Sequence, residues 1–308
     1  MGGSGGSFRL TQTEAKSFRE QIKERAEQQR VDADVNSYLR RELLAANDRD
    51  AEVVNERVEQ IKEALANRVE EFEDLRFGGS IAKHTYVEGL SDVDLVVPLR
   101  DEQLGERTPD EFRHAFARTL RGQLPAGDIA DIRVGPRAVT VVYDDGTEVQ
   151  LLPAVQRGET ISISSPDGRR WQDGIKPKAF TNELTATNSA QGGTVVPAIK
   201  LAKEIIASQI PRDRTPSGYH VEALAVEAFH NYDGPKTPKA MVEHFFQTAA
   251  ARVRSPLSDV TGQSRYVDES LGAASSAQRQ TLAREFTNIA NRMSHAQTVD
   301  DWKRLFGL

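Results

Sequence analysis

No cysteine occurs among the 308 residues. That excludes disulfides and thiolate metal sites and fits a cytoplasmic protein. Long uninterrupted apolar runs are missing as well, so neither a membrane-spanning helix nor a membrane partner is expected. The N-terminus lacks the basic-then-apolar pattern of a secretory signal. A basic stripe is also wanting. The formal net charge is −6, and the lysines and arginines are interspersed with acids, most densely over residues 14–73. A long nucleic-acid activator is therefore not expected. No His-x-x-x-His or Cys/His cluster suggests zinc, and there is no internal repeat.

What is present suits a water-soluble fold with a sizeable core, since 38% of residues are hydrophobic and 28% charged. Residues 1–10 read as a flexible Gly/Ser tail. Helix-prone sequence runs from about 11 to 44, and a second helical pattern carries Val53, Val54, Val58, Ile61, Leu65 and Val69 at near-helical spacing. The texture changes at Leu75. Short strands are expected at 75–77, 93–99, 129–134, 138–143 and 148–152, with a helix over 109–122 opened by Thr108-Pro109. Asp144-Asp145-Gly146 reads as a hairpin turn. A loop-like stretch of some thirty residues is expected after Pro153. From Thr194 onward the pattern is helical, over 196–208, 218–231, 238–253, 276–292 and 299–306. The expected organisation is α+β: N-terminal helices with a mixed-sheet core over 11–160, then a helical lobe over 161–308.

The chemistry concentrates in residues 77–97, FGGSIAKHTYVEGLSDVDLVV. Glycine lets a backbone turn tightly and approach a ligand without a Cβ clash. Backbone N–H groups of such a turn attract phosphate oxygens, and Ser80 adds a hydroxyl beside Gly79. Asp92 and Asp94 follow, leading into an apolar strand. Residues two apart face the same side of a strand, so the two carboxylates stand together. Adjacent anions are costly unless a cation lies between them, and hard oxygen ligands favour Mg2+ or Mn2+. Alone, a Gly-Gly-Ser reads as a loop and an Asp-x-Asp as a solvated strand end. Together and in this order they are specific.

The full pattern (Gly79, Ser80, Lys83, Thr85, Gly89, then Ser91-Asp92-Val93-Asp94-Leu95) resembles the DNA polymerase β-like nucleotidyltransferases. More narrowly it resembles the branch of oligoadenylate synthetases, archaeal CCA-adding enzymes, cyclic GMP-AMP synthase and the bacterial CD-NTases. The order of elements, an N-terminal helical spine, a nucleotidyltransferase core and a C-terminal helical bundle, is most similar to the CD-NTases. The resemblance implies that a third carboxylate completes the metal site, three residues before a Pro-Ala. Pro153-Ala154 fits, yet the residue in that place is Gln150, with Glu148 two residues earlier on the same strand face. Three readings stand: Glu148 reaches the metal, Gln150 sits there with two carboxylates sufficing, or the site is impaired. Glutamine brings no negative charge and is the weaker ligand.

In the helical lobe, Lys200 and Lys203 share one helix face. The resemblance implies that a lysine there binds the triphosphate, with Lys203 the better match. Ser217 suits a helix N-cap. Ser217 and Tyr219 resemble the serine–tyrosine pair that holds the donor nucleotide in cyclic GMP-AMP synthase, with Tyr219 stacking on a base. His84 lies in the phosphate-loop region and is a candidate for substrate contact, whereas His220, His230 and His244 read as structural. Tyr266, in the polar loop 262–272, is a weaker candidate.

The resemblance implies an enzyme that joins NTPs or dNTPs into a short cyclic or linear oligonucleotide with release of pyrophosphate. It also implies a role in anti-phage defence, the product acting on a separate effector protein. Alternatives are nucleotidyl transfer to tRNA or a small molecule, and a nucleotide-binding pseudoenzyme, for which Gln150 is the motive.

Overall fold

A computed structural model describes residues 12–47, 51–66, 75–87, 93–99, 107–125, 127–157 and 159–308. The Gly/Ser tail, Gly89, Ser91 and Asp92 lie outside the described residues.

Two helices lead: α1 (Gln12–Asn47) and α2 (Ala51–Ala66). They serve different cores. In α1 the buried apolar side chains are Val35, Tyr38 and Leu39, which pack into the helical lobe. Residues 16–30 of the same helix are exposed throughout. In α2, Val58, Ile61, Ala64 and Leu65 recur at helical spacing and pack on the sheet.

The sheet comprises β1 (Arg76–Phe77), β2 (Val93–Leu99), β3 (Ile129–Val134), β4 (Val139–Tyr143), β5 (Glu148–Arg157), β6 (Thr160–Ser164) and β7 (Trp171–Ile175), in the order β1-β2-β5-β4-β3 with β6 and β7 continuing from β5. Among the described strands only β2 and β5 pair in parallel, from Val93 opposite Val149 to Leu99 opposite Val155. Burial alternates along β2, with Val93, Leu95 and Val97 inside and Asp94 and Val96 on the half-open face. That alternation turns Asp94 away from the core. The four-residue helix α3 (Gly79–Ala82) follows β1, and α4 (Pro109–Gln123) covers the sheet with Phe112, Phe116 and Leu120. Thr108 caps α4 in a reciprocal capping box with Glu111. Gly146, at φ +85°, closes the β4–β5 hairpin.

The loop expected after Pro153 is instead sheet and then helix, from Pro177 onward. β5 runs on to Arg157, and Thr160-Ile161-Ser162-Ile163-Ser164 is a strand of period two. Serine and threonine imitate loop composition, but Ser162 and Ser164 are buried on the sheet. Ser164 Oγ is held by the buried Arg113 guanidinium at 2.6 Å, which also bonds the Gly168 carbonyl at 2.9 Å. The helical lobe is α5 (Pro177–Ala190), α6 (Val195–Gln209), α7 (Gly218–Phe229), α8 (Pro238–Arg252), α9 (Ala277–His295) and α10 (Val299–Leu305). Its core is separate from that of the sheet. Among the described residues no helix is long and apolar enough to cross a membrane.

Candidate active site

The glycine turn after β1 is fitted to Asp94. Gly78 N–H donates to the Asp94 carbonyl at 2.7 Å. Gly79 has φ +46°, and a Cβ there would fall 1.6 Å from Asp94 Oδ2. Only glycine permits so close an approach. Ser80 is 8% exposed, and its hydroxyl has no hydrogen-bond partner. An unpaired buried hydroxyl costs about 1–3 kcal/mol, which makes Ser80 a candidate for a ligand contact. Thr85 N–H closes the loop on the Ser80 carbonyl at 2.9 Å.

Behind this loop stands a buried charge cluster. Glu222 of α7, 1% exposed, takes Lys203 Nζ at 2.9 Å. It also pairs with Lys83 and accepts the Thr85 hydroxyl. Lys203 Nζ donates further to the Thr85 carbonyl at 2.9 Å. Burial draws the Lys203 ammonium below its ordinary range, while the Glu222 and Asp94 charges resist. Burial alone would raise Glu222, but Lys203 and Lys83 outweigh it and hold the carboxyl below its usual range. Two ammonium groups thus share one glutamate behind the glycine turn, with the Asp94 charge also acting on Lys203. Lys200 lies one turn earlier on α6, half-buried.

Ser217 caps α7 by accepting His220 N–H at 3.2 Å, which leaves its own proton for another acceptor. Tyr219 is half-buried and its hydroxyl donates to Asp259 at 2.8 Å. Its ring meets Phe180 edge-on at 4.8 Å, and Lys83 Nζ lies 5.2 Å from each of the two ring centres.

On the sheet, the β2–β5 register sets Gln150 opposite Asp94. Glu148 is two residues back on the same face and pairs with Arg133 of β3. Among the described residues no three acidic or histidine side chains are gathered to hold one metal ion. The donor set at hand is Asp94, Gln150 and Glu148, all oxygen ligands of the hardness Mg2+ and Mn2+ take. The Asp94 carboxylate against the Gly79 backbone, beside the unpartnered Ser80 hydroxyl, fits such an ion.

Among the histidines, His84 takes φ +59° with an exposed side chain. His220 is buried, with Nε2 3.5 Å from Asp268, and burial pulls its pKa down to about 4. His244 packs on Tyr232 at 4.4 Å. Tyr266 pairs with Ser258 in an isolated bridge and lies under Arg265. Sequence reasoning gave no role to Glu222, Phe180 or Asp259. For Glu222 there was a signal: an acid three residues after Tyr219 in a largely apolar helix, with two lysines elsewhere in need of a partner. For Phe180 and Asp259 there was none, because only the fold brings them to Tyr219.

No family model and no curated protein matches the sequence. Solved structures match the fold. The Bradyrhizobium diazoefficiens CD-NTase CdnG, in complex with GTP, aligns at TM-score 0.62 and 16% identity over 81% of this chain and 88% of its own. The Vibrio cholerae DncV cyclic AMP-GMP synthase, with nonhydrolyzable GTP, aligns at TM-score 0.61 and 13% identity over 97% and 91%. CdnC of E. coli MS115-1, with ATP, gives 0.58 and 15% over 86% and 92%. The chain therefore has the fold of the bacterial CD-NTases: a polymerase β-like nucleotidyltransferase core joined to a helical lobe.

Proposed function

We propose that this chain is a divalent-metal-dependent nucleotidyltransferase that joins NTPs or dNTPs into a short cyclic or linear oligonucleotide. One observation carries the reading: the Gly79 backbone lies against the Asp94 carboxylate, beside a buried Ser80 hydroxyl with no partner. That is a cradle for a phosphate chain and its counter-ion. CD-NTase structures of the same fold hold GTP or ATP. Asp92, Asp94 and Glu148 would hold Mg2+ or Mn2+, which supplies charge to activate an attacking hydroxyl and to neutralise departing pyrophosphate. Gly79 N–H and the Ser80 hydroxyl donate to phosphate oxygens. Lys203, Lys83 and Lys200 supply positive charge to the triphosphate, with Thr85 fixing the loop to Lys203. Ser217 donates to a phosphate, and Tyr219 offers its ring to a base. The acceptor 2′- or 3′-hydroxyl attacks the α-phosphate, a new P–O bond forms, and pyrophosphate leaves with the electron pair of the broken one. The resemblance of the motif to CD-NTases supports a cytoplasmic role in anti-phage defence, with a separate effector protein reading the product.

The test is incubation of the protein with the eight NTPs and dNTPs and Mg2+ or Mn2+, with mass spectrometry of the products. An oligonucleotide is expected, and its loss in Asp94→Asn. Undiminished turnover in that variant would remove Asp94 from the site. Glu148→Gln is expected to reduce product sharply, and Gln150→Ala less. The reverse order would make Gln150 the third ligand.

A second reading, a nucleotide-binding pseudoenzyme, is favoured by the register that sets neutral Gln150 opposite Asp94 while Arg133 holds Glu148. Metal-dependent triphosphate binding without any pyrophosphate release would select it.

A further inference from the structure

Away from the glycine turn, α2 and the β4–β5 hairpin flank a half-open cavity of about 300 Å3. Its charge is one-sided. Among the described residues four carboxylates, Glu56, Asp128, Asp144 and Asp145, line it with one cation, Arg57. Arg57 is already engaged, donating to Asp145 at 2.8 Å with its guanidinium 4.1 Å from the Tyr143 ring centre. Among the described residues no cation pairs with Asp128 or Asp144. Tyr143 also lines the cavity. It is 2% exposed, and its buried hydroxyl has no hydrogen-bond partner. An unmet oxygen costs stability unless something donates to it.

These features select a cationic N–H donor. The Tyr143 face already holds a guanidinium, which is the contact a ligand cation makes with an aromatic ring. A single metal ion is a poor occupant, because no three of the acids are close enough to share one. Carboxylates spread around a cavity suit charges spread along a chain. We propose that this cavity binds a small linear polyamine, one ammonium near Asp128 and Asp144 and an N–H reaching the Tyr143 hydroxyl. The occupant ties α2 to the hairpin that runs directly into Glu148.

Calorimetric titration of the full chain with spermidine tests the site. Saturable one-to-one binding is expected. The double variant Asp128→Asn/Asp144→Asn is expected to weaken it roughly five- to tenfold, the sum of two modest ion pairs. Tyr143→Phe removes only an unpartnered hydroxyl, so the fold is retained and binding weakens several-fold. Asp233→Asn, an exposed acid on the helical lobe, is expected to leave affinity unchanged and so separates the site from general attraction to an acidic protein. Absence of saturable binding overturns the proposal. So does wild-type affinity in either cavity variant, or equal weakening by Asp233→Asn.

Discussion

Gly79 and Glu222 carry the heaviest constraints of any single residues in the site. Gly79→Ala puts a methyl group onto the Asp94 carboxylate, at a φ that L-residues rarely adopt. Either the turn opens or Asp94 rotates away. Nucleotide product is expected to fall by at least about tenfold with the fold retained, since the clash is relieved into the cleft and leaves the core untouched. A steady-state assay beside a thermal melt checks this, and normal turnover would mean the turn and the acid do not act together. Glu222→Gln removes the carboxylate that Lys83 and Lys203 share. Breaking a buried pair in this way costs about 3 kcal/mol or more. A urea midpoint measured for wild type and variant reads that loss, and an unchanged midpoint would show that the lysines have other partners.

At the scale of elements, the sequence was most legible where periodicity had length to work with. The amphipathic α2, the apolar β2 and the helices from α6 onward announce themselves by spacing, whereas α5 lies in a stretch that reads as loop. The glycine turn and the strand that carries Asp94 were legible as elements, from Gly78-Gly79-Ser80 at a strand end and the apolar run that follows Asp94. The β6–β7 hairpin was not, because buried serines satisfied by Arg113 and Asp173 look like loop until their partners, distant in sequence, are known. The same holds for Arg279 of α9, fully buried and read only as a helix residue. It bonds the Val253, Ser255, Asp268 and Gly272 carbonyls and pairs with Asp268 at 2.5 Å. It thereby fastens the chain from the end of α8 through the polar loop after it, holding the segment that presents Asp259 to Tyr219. Arg279→Met is expected to destabilise the protein by about 3–5 kcal/mol, because Asp268 is left buried and unpaired. Adding Asp268→Asn should restore part of that loss. A double variant no more stable than Arg279→Met alone would place the cost in the lost carbonyl bonds instead.

For the whole molecule, the two large apolar cores lie on either side of the Glu222 charge cluster, and the buried ionisable groups in and beside that seam make stability depend on pH in a definite direction. His220 is buried in the helical lobe with its pKa drawn from 6.5 down to about 4 by burial. Between those values the unfolded chain binds a proton that the folded protein refuses. Its contribution is therefore fully present above pH 6.5 and is lost as pH falls toward 4. The full shift corresponds to about 3 kcal/mol, of which about 2 kcal/mol is gone at pH 5. Glu222 acts at lower pH. Its carboxyl is held below the ordinary 4.5, so its contribution is complete above pH 4.5 and lost as pH drops through the folded-state value. The order of these events follows from where the groups sit: the helical lobe weakens first through His220, and the seam between the cores gives way next, when Glu222 is protonated and Lys83 and Lys203 are left facing each other. Thermal melts from pH 7.5 to 4 should show the midpoint falling by several degrees by pH 5, and His220→Gln should flatten that limb while keeping the steeper loss below pH 4.5. Identical slopes in the two proteins above pH 5 would show that His220 is not the group responsible.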